Sequence, residues 1–394
     1  MILPNLLVQS HFSISLAHGT GTVLIKQLAE YPRAKMANVF TFPYGEVWLE
    51  KSLWLLKDDN LKTRVIYAAM QIKQALRGER VADGYYYKHV AKGLAKLRFS
   101  PDILYANPAK YENLLSIIEL RKSYQIPTII YFQDYTFQLE EDFYSDLRRV
   151  LSDRQTKEIW ALTPEIASEI EDKTGIVVKV VNNQHIEIGS QKKTRFNAFG
   201  ENFKTVIMGT IYSVETVKFL KRLWAMMKES LPELSPIEWL AHPKALKRIG
   251  KNTKIEPEIR YGGFLQGEEL NKKLLSADLS IIPVNIGRKA EDSIAQYSLP
   301  SRISELASLG VPMFVIASAD TATARYIQRT GIAICESADN LEACKSKIVE
   351  FMKNQTMREA FSQKARKYAE KNLDIKRYRE ELYHKFVELK ERGI

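Results

Sequence analysis

Cysteine is nearly absent from this chain of 394 residues: Cys335 and Cys344 are the only two. Two such thiols form neither a disulfide framework nor a zinc-ligand spacing, and they fit a reduced, cytoplasmic setting. No apolar run reaches the roughly 18 residues that a membrane-spanning helix requires. The opening "MILPNLLVQSHFSISL" lacks a basic flank and carries His11, so it reads as a buried strand and loop rather than a secretory leader. No tandem repeat is evident. No nucleic-acid motif with its own spacing occurs, so nucleic acid is not an expected partner. No Asp-x-Asp pair stands at the end of a predicted strand; Asp58-Asp59 and Glu140-Glu141-Asp142 read as solvated runs. The expectation is therefore no metal and no cofactor.

Acidic residues are also in deficit. Against 58 Lys and Arg stand 47 Asp and Glu, a formal net charge of +11. Such an excess favours anionic partners. It concentrates in residues 51–100, which hold eleven basic and four acidic residues, with Trp48, Trp54, Tyr67, Tyr85, Tyr86 and Tyr87 interleaved or bordering. This segment is either a set of solvated helix faces or a surface that docks on anionic lipid or an anionic acceptor.

What is present is an alternation. With 45% hydrophobic and 27% charged residues, the chain has the mix of a soluble globular protein, and its length exceeds what one core usually serves. Strand-like runs at 5–11, 101–107, 127–134, 158–163 and 176–183 are separated by helical patterns at 19–32, 111–125 and 164–175. Residues 184–202 are polar and aperiodic and read as a linker. The rhythm then restarts with strand-like runs at 204–211, 237–243, 258–265, 278–284, 312–318 and 331–337, and helical patterns at 214–231 and 266–277. This is the pattern of βαβ units and parallel sheets, an α/β fold in two domains. Ligands of such sheets bind at the carboxyl ends of the strands.

One stretch asks for a chemical reason: "QYSLPSRISELASLGVP", residues 296–312. Ser298-Leu-Pro300-Ser301 is a helix-start signal, with Pro300 in the first turn and either serine as cap. A helix start offers unpaired N–H groups and a positive dipole end to an anion such as a pyrophosphate. Arg302 stands in that first turn, where a cation is unfavourable without an anion nearby. Glu305 can accept two hydrogen bonds, as the paired hydroxyls of a ribose would donate. The plainer alternative is a serine-capped helix with a loose capping box to Glu305 and an incidental Arg302–Glu305 pair.

The run from Gly263-Phe264-Leu265 through Glu269-Leu270, Leu274, Ala277-Asp278 and Pro283 to Ser298, Pro300, Arg302, Glu305-Leu306, Gly310 and Pro312 resembles the donor half of GT-B glycosyltransferases. The resemblance is to the large retaining family that uses sugar nucleotides (glycosyl transferase group 1, family 4-like). It implies two Rossmann-like domains whose parallel sheets face across a cleft: an acceptor domain over 1–190, a donor domain over 203–372, and a terminal helix over 373–394 that packs back on the first. It implies that Ser298, Ser301 and Arg302 line the donor diphosphate, that Glu305 holds the ribose, and that the backbone near Phe264 and Leu265 receives the base. Gly209 and Thr210 in "VIMGTIY" fall beside the sugar nucleotide, and Gly19 and Gly21 in "HGTGTVLIKQLA" fall where the family has a glycine-rich loop. "IPTIIYFQDY" is similar to the strand facing the acceptor and puts Asp134 there.

The sequence also departs from the family. Tyr297 stands where a second glutamate is common, no Lys or Arg follows the Gly209 turn until Lys218, and Gln133 replaces a common histidine. The activity implied is metal-independent transfer of a hexosyl or N-acetylhexosaminyl group from a nucleoside-diphosphate sugar, UDP before others, to a lipid-linked, glycan or protein acceptor. Residues 51–100 would dock on the inner membrane face, as in polysaccharide biosynthesis. Developing charge on the leaving diphosphate calls for cations, Arg302 first, then Arg288 and Lys289. Asp134 is the candidate base or acceptor-orienting group. His11, His18 and His242 also lie near strand ends, where packing or capping roles compete. Alternatives are a nucleotide-sugar epimerase of the same fold or a non-catalytic binder.

Overall fold

The computed structural model describes residues 2–12, 14, 19–42, 52–54, 98–109, 111–133, 141–182, 186–249, 255–284, 286 and 296–393. The chain divides into two compact units, Met1–Val181 with Lys376–Ile394, and Asn182–Ile375.

The first unit is built on a parallel sheet of β1 (Leu6–Phe12), β2 (Met36–Phe42), β3 (Ser52–Trp54), β4 (Ile103–Asn107), β5 (Thr128–Phe132), β6 (Thr156–Ala161) and β7 (Lys179–Val180). The spatial order is β3-β2-β1-β4-β5-β6-β7. All five residues of β4 and all five of β5 are buried, the signature of central parallel strands covered on both faces. β2 and β3 were not among the expected strands. β2 is the apolar run "MANVFTF", which follows a single helical turn at Arg33–Lys35 without Gly to punctuate it.

The final helix, Ile375–Arg392, packs almost wholly within this unit. Its Arg379 Nε donates to the Lys26 carbonyl at 2.7 Å, and Tyr383 Oη donates to the Gln27 carbonyl at 3.1 Å. Phe386 is buried against the edges of the Tyr31 and Tyr105 rings.

The second unit repeats the plan with β8 (Thr205–Met208), β9 (Ile237–Leu240), β10 (Ile259–Gly263), β11 (Leu279–Pro283), β12 (Met313–Ile316) and β13 (Ile334–Glu336), ordered β10-β9-β8-β11-β12-β13 and paired in parallel throughout. Strand order reverses between β8 and β11. One apolar cluster lies around Trp224, Trp239 and Phe351, and a second around Ile303, Leu306 and Met313.

Of residues 184–202, expected as linker, the described part 186–202 belongs to this unit, and its polarity has a structural cause. Asp278, buried just before β11, accepts from Asn197 N at 3.1 Å, Asn197 Nδ2 at 3.0 Å and Lys204 N at 3.0 Å. The buried Lys193 Nζ lies 3.7 Å from its carboxylate. Arg358, also buried, donates to the carbonyls of Phe351, Met352 and Asn197, with its guanidinium 4.9 Å from the Phe203 ring centre. A buried carboxylate with its lone pairs filled and a cation beside it is the arrangement in which burial of charge is tolerated.

Candidate functional site

The carboxyl ends of the second sheet carry the residues singled out from the sequence. β8 is followed by Gly209, which has φ 88°, a conformation that L side chains rarely adopt. Its N–H donates to the Leu240 carbonyl at 2.8 Å, and its own carbonyl accepts from Trp239 Nε1 at 2.8 Å. A Cβ on Gly209 would lie 3.4 Å from an Arg302 guanidinium nitrogen. The turn is thus fixed from both sides, with Thr210 next to it.

Beyond β9 stands the exposed His242, whose Nδ1 accepts from Lys244 N at 3.1 Å and caps the helix Pro243–Arg248. The segment 237–243, expected as one strand, therefore ends at Leu240 and turns into this helix. Beyond β10 the Phe264 ring meets the His242 ring edge-on, centres 4.9 Å apart. Phe264 is 47% exposed and Tyr212, past the Gly209 turn, 45%. Large side chains of this kind are uncommon on the described surface. Leu265 packs its side chain against the core instead.

On the other side of β8 lies the helix Arg302–Leu309. Of its eight residues all but Glu305 are buried, so Glu305 is the position that opens to the surroundings. Ser301 precedes it with φ −55° and ψ −29° and makes no side-chain capping bond; the first turn is instead closed by Ile303 N donating to the Pro300 carbonyl at 3.1 Å. The capping-box alternative is thus not what Ser301 does. Ser298 holds its place through its carbonyl, which accepts from Thr323 Oγ1 at 3.0 Å, while its buried Oγ has no partner among the described residues. Tyr297, where a second glutamate is common in the family resembled, is buried.

Arg302 does not sit as expected for a group lining a diphosphate. Its guanidinium is buried, and both terminal nitrogens are committed to main-chain carbonyls: Met208 at 2.9 Å, Thr210 at 3.3 Å and Pro283 at 3.0 Å. Its Nε has no partner, and no carboxylate lies within ion-pair distance among the described residues. Burial holds its pKa below the ordinary arginine value, with the Tyr212 phenol acting in the opposite direction. The sequence pointed to this residue but not to its partners, because the carbonyls it meets are backbone groups from strands some 20 and 90 positions away.

The other expected residues are distributed as follows. Gly19 and Gly21 form the first turn of the helix Gly19–Leu28, directly after β1 in the first unit. Asp134, Arg288, Lys289, His18 and most of the basic segment, 55–97, lie outside the described residues. Gln133, where a histidine is common, is buried at the end of β5, and its Nε2 donates to Gln27 Oε1 at 3.5 Å. Among the described residues no three His, Cys, Asp or Glu side chains converge as metal ligands. Among them, too, no helix is long and apolar enough to cross a membrane.

A cavity of about 600 Å³ lies at the other edge of this sheet, beside β13, lined by Ala324, Ile327, Ala333, Cys335, Phe361 and Lys364 among others. It offers little chemistry: burial pushes the Cys335 thiol up to about 11, away from the thiolate a nucleophile needs.

The architecture is that of the GT-B fold. No family model and no curated protein matches the sequence. Solved structures do match the fold across the whole chain. The Anabaena protein Alr3699/HepE, in complex with UDP and glucose, is 12% identical, with a TM-score of 0.66 over 98% of this chain and 99% of that one. A glycosyltransferase from Rickettsia africae is 12% identical, with a TM-score of 0.61 over 98% of each chain. WaaG, a glycosyltransferase involved in lipopolysaccharide biosynthesis, is 12% identical, with a TM-score of 0.60 over 96% of this chain and 98% of that one.

Proposed function

We propose that this protein is a glycosyltransferase that takes its sugar from a nucleoside diphosphate, UDP in the first instance, and binds that donor at the carboxyl ends of β8–β11. The observation that carries the reading is a polarised row of groups. At one end stand the exposed aromatic Phe264 and His242. At the other are a glycine turn, the start of the helix Arg302–Leu309 and, among the described residues, a buried guanidinium without a counter-ion and a buried Ser298 Oγ without a partner. A base suits the first end and an anion the second. Glu305, the residue of that helix that is not buried, is proposed to take the ribose hydroxyls.

Transfer breaks the anomeric C–O bond and leaves charge on the departing diphosphate. A helix start and fixed N–H groups stabilise that charge without a metal. Asp134 is proposed as the acceptor-side carboxylate. A lipid-linked or glycan acceptor at an anionic membrane, met through residues 51–100, fits the +11 charge. The UDP and glucose held by HepE and the lipopolysaccharide role of WaaG support donor and acceptor classes of this kind.

Tyr297 in place of a second glutamate favours one further reading, a sugar-nucleotide binder without transferase activity. A thermal-shift series with UDP, ADP and GDP tests the donor. UDP at 100 times its Kd adds about 2.7 kcal/mol of apparent stability. That gain falls in Glu305→Ala, and the absence of a shift with any nucleotide refutes the reading. Transfer of radiolabelled sugar then separates enzyme from binder.

A further inference from the structure

In the second sheet β8 and β11 are the two strands at the reversal of order, where a crevice opens in folds of this kind. Their pairing covers only Leu279 with Thr205 and Ser280 with Val206. On their outer sides the same strands stay paired to their last residues, Met208 with Leu240 and Pro283 with Ile316. The two strands therefore part from each other after the first half of their length. The carbonyls of Met208 and Pro283 are left facing the gap between strands, and the Arg302 guanidinium fills it, one nitrogen on Met208 and Thr210, the other on Pro283. A planar fork with fixed N–H directions can span two strand ends in this way; a single ammonium cannot.

We infer that Arg302 is a positioning residue: it wedges between the parted ends of β8 and β11, sets the Gly209–Thr210 turn, and does not itself touch the donor. The inference rests on the donor reading above for its functional consequence and on the geometry alone for the wedge. Three carbonyl dipoles would otherwise turn their negative ends toward the place proposed for a diphosphate. The guanidinium cancels them from beneath, which gives a first-turn cation a purpose without a phosphate contact. It also accounts for the lack of Lys or Arg between Gly209 and Lys218: the cation serving this turn comes from the helix after β11.

The test compares wild type, Arg302→Lys and Arg302→Met in two measurements. Amide hydrogen exchange without ligand reads the turn, and UDP titration at several salt concentrations reads the donor. A wedge predicts faster exchange at Gly209–Tyr212 in both variants. It also predicts UDP binding weakened by about 10- to 100-fold in both, with the wild-type dependence of Kd on salt retained. If Lys restores UDP affinity with exchange unchanged, or if the salt dependence flattens in Arg302→Met, Arg302 contacts the phosphate and the inference is overturned. Should Arg302→Met not fold, Arg302→Lys alone decides between these outcomes. A wild type that binds no UDP removes the proposed function, while the exchange measurement still decides the wedge.

Discussion

β8 and β11 carry a buried charge near each end, and the two charges are treated in opposite ways. At the amino ends, the Asp278 carboxylate accepts three hydrogen bonds and has the Lys193 ammonium 3.7 Å away. At the carboxyl ends, the Arg302 guanidinium has three neutral carbonyls and, among the described residues, an unpartnered Nε and no carboxylate. Both strands and both charges are buried, so burial alone does not distinguish the ends. The state of satisfaction does. The amino end is a closed fastening that ties residues 193–204 to the sheet. The carboxyl end keeps buried polar atoms, Arg302 Nε and Ser298 Oγ, that no described residue satisfies. The first unit gives a further contrast: the Gln9 amide is buried with neither atom partnered among the described residues, yet it lies within a strand with no exposed aromatic or glycine turn described beside it. An orphaned polar atom marks a site only together with such neighbours.

Breaking the closed end has the largest expected effect. Asp278→Ala leaves Lys193 buried without its partner and strips Asn197 and Lys204 of an acceptor. It should cost about 3–5 kcal/mol of stability, read by urea unfolding, while the folded fraction keeps its affinity for UDP. The open end responds the other way round. Ser298→Ala removes a hydroxyl that has no partner, so stability should move by no more than about 0.5 kcal/mol. UDP affinity should fall nonetheless. Equal losses of stability in the two variants would erase the distinction between the ends.

Much of the fold was legible because parallel sheets write themselves as apolar runs bounded by turns. The buried β4, β5, β8 and β11 fall where such runs lie. β3, three residues inside a strongly basic segment, left no such signal. The polar stretch 184–202 read as linker because its polarity answers a carboxylate about 80 positions away, which no local pattern records. Near the candidate site, Gly209 was legible as a turn and Ser298 as the approach to a helix, both from residue type. Arg302 was legible as a first-turn cation, but its bonds to the Met208, Thr210 and Pro283 carbonyls were not. A cation in a first turn suggests an anion, and the parting of two strands beneath it is invisible until the sheet is assembled. His242 was visible only as a histidine near a strand end; its contact with Phe264 depends on β9 and β10 lying side by side.

The most direct measurement of the central claim is hydrogen exchange of the wild-type protein across the whole chain, with and without saturating UDP. The account predicts new protection at residues 209–213, 264–265 and 298–305, and none at 193–204 or around the cavity beside β13. Protection centred on residues 317–337 instead, with 298–305 unchanged, would contradict it.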